Sequence, residues 1–441
     1  MTNPEQQITE EQPVAGFFPR IKSGFGDYWR ELNLFSRNVR LYLIGLFMIW
    51  VNFQIFQLLF NLYLKELGYA EGAIGWVNSS RAIGMSLMAI PAAMIINRIR
   101  LKPILMVACA LLAVFSFFMA TVSPLFLIIS FSIFSGMSLA VFRVAAGPFF
   151  MRNSTPVERT LLFSTSFAVN VLAGMAASAG SGEMATVIGG AVGDIIHGYR
   201  YTLYIGIALS SLAFIPLAMI KSSKPSKEEN RLTLSREQLR RRGGFYFRIA
   251  IVNFIVGTGA GLIIPFLNLY FRDRFDLPPD TIGWLFFAVT ASMFFGSLSG
   301  PALTKKFGLV RTVVVTQLMS IPFMFILSYS YVLPLVVLAF VMRGGLMNLG
   351  TPIVTNFAME LSDKREQGFV NALLMLSWTS SWMVSTAVGG TLIEMYGYST
   401  TINITMGLYI FSAFIFYYFF RGYEERRESG RGYYLITEKS L

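Results

Sequence analysis

Charge is scarce in this chain. Only 14% of its 441 residues are Asp, Glu, Lys or Arg, against 54% hydrophobic ones, and mean hydropathy is +0.58. A soluble chain of this length needs more charged surface. Histidine and cysteine are nearly absent. The single His197 excludes any multi-histidine metal site within the chain, and no metal or other cofactor is expected. The single Cys109 cannot form an intramolecular disulfide. No Walker-type phosphate loop occurs, so ATP-driven pumping has no support. Residues 1–19 are polar and acidic, without a basic n-region or an apolar h-region. A cleavable signal peptide is therefore not expected, and the first span stays in place.

What is present is long apolar runs. A helix crosses a bilayer in about 20 mostly apolar residues. Runs of that kind lie at 40–62, 73–96, 103–121, 125–150, 160–182 and 201–220. A second set lies at 246–270, 281–303, 311–329, 332–355, 367–392 and 402–420. The runs are continuous rather than alternating, which excludes a closed barrel. The expected fold is an all-α integral membrane protein with twelve transmembrane helices in two pseudo-symmetric six-helix bundles. Residues 1–39 form an N-terminal tail, 40–220 the first bundle, 221–245 a polar linker, 246–420 the second bundle and 421–441 a second tail. Phe25, Tyr28, Trp29, Leu32 and Phe35 recur at helical spacing among charges, which suggests an interfacial helix before span 1.

The net charge of +12 does not point to nucleic acid, because the basic residues are spread over many short loops. It gives orientation instead. Of the 36 Lys and Arg, 29 fall on one side of the predicted topology. Only Lys65, Arg200, Arg272 and Arg274 fall on the other, and Arg81, Arg143 and Arg343 lie within spans. The positive-inside rule then puts both termini in the cytoplasm, in a plasma (inner) membrane.

The halves repeat each other. Asn61-Leu62-Tyr63 recurs as Asn268-Leu269-Tyr270, and Ile74-Gly75-Trp76 as Ile282-Gly283-Trp284, at offsets of 207 and 208. Basic runs follow spans 2 and 8, at Asn97-Arg98-Ile99-Arg100 and Lys305-Lys306-Phe307-Gly308. Gly189-Gly190 with Asp194 matches Gly389-Gly390 with Glu394, at an offset of 200. Several matches in one order, at nearly fixed spacing, mark an internal repeat.

This layout resembles the major facilitator superfamily, over roughly residues 40–420. The family's loop 2–3 motif, Gly-x-x-x-Asp-Arg-x-Gly-Arg-Lys, corresponds to the stretch from Ala93 through Asn97 and Arg98 to Lys102. Arg98 and Lys102 keep the pattern; in the second half Gly308 fits, with Lys305 in place of the Asp. Leu139-x-x-x-Arg143-x-x-x-Gly147-Pro148 resembles the family's span-4 motif, whose Arg is tied to proton coupling. The Gly-Pro-x-x-Gly-Gly element of its antiporters is replaced by Ala185-Thr186-Val187-Ile188-Gly189-Gly190, which weakens a drug–proton antiport reading. The resemblance implies two bundles around a central cavity, with Arg98, Lys102, Gly147, Pro148 and Gly308 as candidates for conformational gating.

The candidate site residues are polar groups in expensive places. A charge within a span faces a cavity or a partner. Arg143 is a candidate for coupling, either by holding an anionic group or by lowering the pKa of a neighbouring acid; the bland alternative is snorkelling toward the cytoplasmic end. Arg343, in span 10, is a candidate for substrate binding; pairing Pro148 with Pro352 sets it opposite Leu139. Arg81 is another, unless it reaches the outer interface. Glu183 is the candidate proton carrier, or else an outer-loop residue. Gln54, Gln57 and Asn61 share one face of span 1 and either read a solute or join helices. Trp378 and Trp382, at i and i+4, either stack on a substrate or are core. Gly257, Gly261 and Pro265 predict a bending span 7.

Together these residues predict a secondary transporter. It moves a small-molecule organic substrate, with protons as a possible coupling ion and export favoured, because Met and aromatic residues suit adaptable pockets. It is expected to act as a monomer in the lipid bilayer. The alternatives are a lipid or lysolipid flippase and a non-transporting membrane sensor or intramembrane enzyme. An enzyme would need a nucleophile–base pair or a metal site, which His197 alone does not supply.

Overall fold

A computed structural model describes residues 35–96, 98–221, 236–362 and 366–428. The first half holds α1 (Arg37–Glu66), α2 (Glu71–Ile96), α3 (Leu101–Thr121), α4 (Leu125–Asn153), α5 (Pro156–Val192) and α6 (Ile195–Met219). The second half opens with α7, which runs from Arg236–Ile263 through the 3-10 turn Ile264–Phe266 into Leu267–Phe275. Then come α8 (Pro279–Phe307), α9 (Leu309–Tyr329) and α10 (Leu333–Glu360). A last helical stretch, Gln367–Glu428, is two helices joined at Gly397, whose φ of 79° and ψ of 172° break the α path. These are α11 (367–396) and α12 (398–428). Eleven stretches of the described residues are long and apolar enough to cross a membrane, and the break at Gly397 makes twelve crossings.

The elements end where the sequence supplies caps. Asp194 caps α6, its carboxylate accepting from the Ile196 amide at 2.9 Å. Thr155 and Glu158 form a capping box at the start of α5. After α1 the chain turns at Gly68, φ 89°, and after α7 at the equivalent Asp276, φ 49°. Both take the left-handed conformation that ends a helix, which glycine and, less often, Asp adopt. Pro265 sits in the 3-10 turn and interrupts α7, as its missing amide requires.

Helix bounds differ from the sequence expectation where hydropathy is diluted by polar residues. Helix α5 runs to Val192, not 182, so Glu183 lies inside it rather than in an outer loop. The expected linker 221–245 loses its last ten residues to α7, which starts at Arg236. Helix α12 continues past 420 to Glu428. Of the expected interfacial helix only Phe35 is described; it is 2% exposed, against the inner end of the first half. Phe25, Tyr28, Trp29 and Leu32, like Asn97 of the loop motif, lie outside the described residues.

The apolar core is divided in a way that sets the site. The end holding residues 66–71 and 275–279 is termed outer, after the charge bias. At that end one cluster is shared by both halves, including Phe56, Leu59, Phe60 and Tyr63 with Phe266, Tyr270, Phe271 and Phe340. At the inner end the core splits in two. One part belongs to the first half, around Tyr42, Phe142, Phe149 and Leu217. The other belongs to the second half, around Tyr246, Val310, Phe357 and Phe416. Many large apolar side chains point outward, such as Phe126 at 75% and Phe414 at 65% exposed. In water such a surface would aggregate; against hydrocarbon it is the expected solvent contact.

Candidate functional site: two halves joined at the outer end

Two helix pairs form the outer seam, α2 on α11 and α5 on α8, and glycines bring them together. A Cβ on Gly75 would stand 2.6 Å from the Thr386 carbonyl and 3.1 Å from Cα of Gly390. A Cβ on Gly283 would stand 3.2 Å from Cα of Gly182 and closer still to the Ser178 carbonyl. Backbones this close need small residues. Polar contacts flank the glycines. The Gly72 amide donates to Glu394 at 3.0 Å, and the Asp280 amide to Thr186 Oγ1 at 3.2 Å. The Ser79 hydroxyl donates to the Met383 carbonyl.

These contacts obey one pseudo-two-fold, and its offset stays at 207 or 208. Asn61 Nδ2 donates to the Pro265 carbonyl at 2.6 Å, and Asn268 Nδ2 to the Leu58 carbonyl at 2.5 Å. The Tyr63 hydroxyl donates to Ala120 at 3.0 Å and the Tyr270 hydroxyl to Leu327 at 2.7 Å. The structural partner of Gly390 is therefore Gly182, not Gly190. Gly189 packs on Ile195 of α6, whereas Gly389 packs on Leu262 of α7. Span 10 shifts likewise. Gly136 abuts the Arg81 backbone and Gly344 abuts Val289, so Arg343 stands opposite Ser135 rather than Leu139.

A clasp of charges lies just above the seam. Arg272 donates to Glu66 Oε1 from Nε at 3.0 Å and from Nη2 at 2.5 Å, and Lys65 stands 4.0 Å from Asp273. Each basic residue of one half meets the acid of the other. Lys65 also pairs with Glu71, and the Tyr398 hydroxyl donates to Asp273 at 2.7 Å. By sequence Lys65 and Arg272 read only as exceptions to the charge bias. Extending the Asn-Leu-Tyr repeat three residues would have found them, as Lys65-Glu66 against Arg272-Asp273. The clasp yields a prediction. Arg272→Glu alone should speed thiol labelling of a cysteine placed at Ser79, which is 1% exposed within the seam. Adding Glu66→Arg should slow it again. Failure of the second change to reverse the first would separate the clasp from closure.

Below the seam the candidate residues divide. Gln54 and Gln57 are half-buried toward the interior, and Gln54 packs on Gly174 of α5. Asn61 is 2% exposed and belongs to the seam, accepting from Asn78 at 3.1 Å while bonding Pro265. Arg143 is exposed, with its guanidinium carbon 5.3 Å from the Trp50 ring and 6.0 Å from the Phe53 ring. Arg81 is 7% exposed, 6.0 Å from the Phe56 ring, and its Nε has no hydrogen-bond partner. Arg343 is placed differently: 3% exposed, it donates to the Tyr409 hydroxyl of α12 at 2.9 Å, inside the second half.

In α11, Trp378 and Trp382 stand 6.1 Å apart and are half-buried. The α7 glycines let them approach, since a Cβ on Gly257 would meet the Trp378 ring at 3.3 Å. The Trp382 indole N–H lacks a partner. Glu183 is on the surface of α5 and accepts from Trp284 of α8 at 2.8 Å, across the seam. The gating candidates lie toward the inner end. Arg98 is exposed, Lys102 sits in the first turn of α3, and Gly147 and Pro148 lie inside an unbroken α4. Nothing packs within 4 Å of a Cβ at Gly147. Gly308, φ 86°, makes the turn between α8 and α9.

A groove of about 440 Å³ runs down the side between α2 and α11. It is lined by Trp76, Ile83, Val384, Val388 and their neighbours and opens sideways toward lipid. Its lining holds no basic residue.

The comparisons with known proteins agree with this architecture. The model of the Major Facilitator Superfamily matches residues 42–248 and again 249–433. No curated protein sequence matches. Among solved structures, a bacterial homolog of the human lysosomal transporter Spinster, in an inward-facing conformation, superposes with a TM-score of 0.72. It shares 13% identity over 90% of this chain and 98% of its own. The nucleoside transporter NupG gives 0.70, at 15% identity over 88% of this chain and 99% of its own. A D-xylose-proton symporter gives 0.68, at 14% identity over 88% and 97%. At these identities the likeness is one of fold.

Proposed function

This chain belongs to the major facilitator superfamily, and from that premise we propose that it is a secondary active transporter of a small organic solute. Its two halves rock about the space between them, exposing that space to each side in turn. The observation that carries the reading is the divided core: a single cluster joins the halves at the outer end, and two separate clusters serve the inner end. That is the arrangement of one limiting state, open inward. The other state needs the outer cluster to part along glycine seams held by a few hydrogen bonds and a half-buried ion-pair clasp.

Protons are the coupling ion in this reading, with Glu183 as carrier. Among the described residues it is the carboxylate farthest from a helix end, and it bridges the halves through Trp284. The protein acts as a monomer in a plasma membrane, with both termini cytoplasmic, as the charge bias supports. A lipid flippase would need a lateral cavity with a basic cluster, and the α2–α11 groove has no basic lining residue.

The test is transport by purified protein in proteoliposomes. Solute uptake should follow an imposed pH gradient. Glu183→Gln should abolish gradient-driven accumulation while sparing exchange of labelled for unlabelled solute. Accumulation at the parent's level in Glu183→Gln would remove the proton role and leave transport standing. A solute library that never moves, with or without the gradient, would remove the transport reading itself.

A further inference from the structure

Resting on that reading, we infer that the solute is a small organic anion, held in the first half between Arg81 and Arg143. Both side chains approach one side of α1. Arg143 lies over Trp50 and Phe53, and Arg81 over Phe56. From residue 50 to residue 56 a helix rises about 9 Å, which sets the scale of a carboxylate-bearing or phosphate-bearing molecule that would touch both guanidinium groups.

Among the described residues no carboxylate pairs with either charge. The described carboxylates of α1 to α12 cluster at the helix ends, with Glu66, Glu71, Asp273 and Glu394 in the outer seam and clasp and Glu366 bound to Arg242. Glu183, further in, is engaged by Trp284 on the opposite pair of helices. Arg81 is more than nine-tenths buried and its Nε donor is unused. Leaving a buried cation without a counter-charge is costly, and a bound anion removes that cost.

The rest of the lining suits the body of such a molecule. Trp50 and Phe53 offer ring faces, Gln54 and Gln57 offer amides, and Trp382 holds an unpaired N–H on the other half. Arg343 contrasts with the pair. Its guanidinium is engaged by a neutral phenol within the second half, so of the three arginines inside the spans the two without a described polar partner belong to the first half.

The experiment uses one molecular body with three charges: benzoate, benzamide and benzylamine, with phenyl phosphate as a second anion. Full-length protein in detergent is screened by thermal shift and then reconstituted for uptake of the same labelled set. The anions should raise the melting temperature and enter vesicles faster than they enter protein-free ones; the amide and the amine should show neither effect. Arg143→Gln should weaken anion binding by about tenfold or more, the scale of a lost charge-assisted contact. Arg143→Lys should recover part of it. Arg81→Lys serves as the second probe, since it keeps the buried charge while removing the unused Nε. If benzamide or benzylamine moves as readily as benzoate, the anionic class is wrong while transport stands. If Arg143→Gln and Arg81→Lys both bind benzoate as the parent does, the site is elsewhere. If no compound binds or moves, the anion assignment falls, and transport stands or falls separately with the solute library in proteoliposomes.

Discussion

Gly283→Val should cut transport by more than tenfold and leave the outer seam open. At Gly283 even a single methyl collides with backbone, the Ser178 carbonyl and Cα of Gly182. Backbone cannot swing aside as a side chain does. Overpacking by extra methyl groups costs about 1–3 kcal/mol; set against closure alone, that shifts the closed-to-open ratio roughly 5- to 150-fold. The collision exists only when α5 and α8 meet, so the open state bears none of it. Gly75→Val, the symmetry equivalent on α2, should act in the same direction through Thr386 and Gly390. Transport in proteoliposomes reads the first effect. Thiol labelling at a cysteine placed at Ser79 reads the second, and Cys109, 1% exposed, contributes little background. A Gly283→Val protein that transports normally and stays unlabelled would mean that the seam does not have to close in the cycle.

Arg143→Ala should abolish coupled transport without unfolding the protein. The reason lies in how the guanidinium is held. Its described partners are two aromatic faces, Trp50 and Phe53, and the residue is exposed. Cation–π contacts at such a site contribute about 0.5–2 kcal/mol, and no buried carboxylate is orphaned when the arginine goes. The melting temperature should therefore hold within a few degrees while uptake drops to the level of empty vesicles. Arg343→Ala is the informative contrast. That side chain is 3% exposed and bonded to Tyr409, so its loss leaves a void and an unpaired phenol in the core of the second half. It should lower stability first and transport only as a consequence. Full uptake in Arg143→Ala, or an unfolded Arg143→Ala protein, would each remove the distinction drawn between the two arginines.

Much of the fold was legible because hydrocarbon is an unforgiving solvent. Every span needs a long apolar run, and lysine and arginine are sorted by side. Within that frame the repeat Asn61-Leu62-Tyr63 to Ile74-Gly75-Trp76 located the outer ends of α1, α2, α7 and α8 correctly. Where identity between the halves was thin the register slipped. The Gly-Gly pairs in the sequence set Gly190 opposite Gly390, but the helices pack through Gly182. The two prolines set Pro148 opposite Pro352, but the packed glycines Gly136 and Gly344 fix that register instead. A residue type repeats cheaply in sequence, whereas a helix crossing admits a small residue at one height only.

The sequence by itself determined that this protein crosses a membrane about twelve times in two related halves, with three arginines inside the spans. It did so because burial in lipid acts on each residue's own chemistry, independent of its neighbours. Tertiary structure alone decided what those arginines do next. It drew Arg343 to a tyrosine, left Arg81 and Arg143 against α1 without a counter-charge among the described residues, and turned Lys65 and Arg272 into a reciprocal clasp across the halves. Those outcomes depend on which side chains meet after the helices pack, at distances of a few ångströms that no single span encodes.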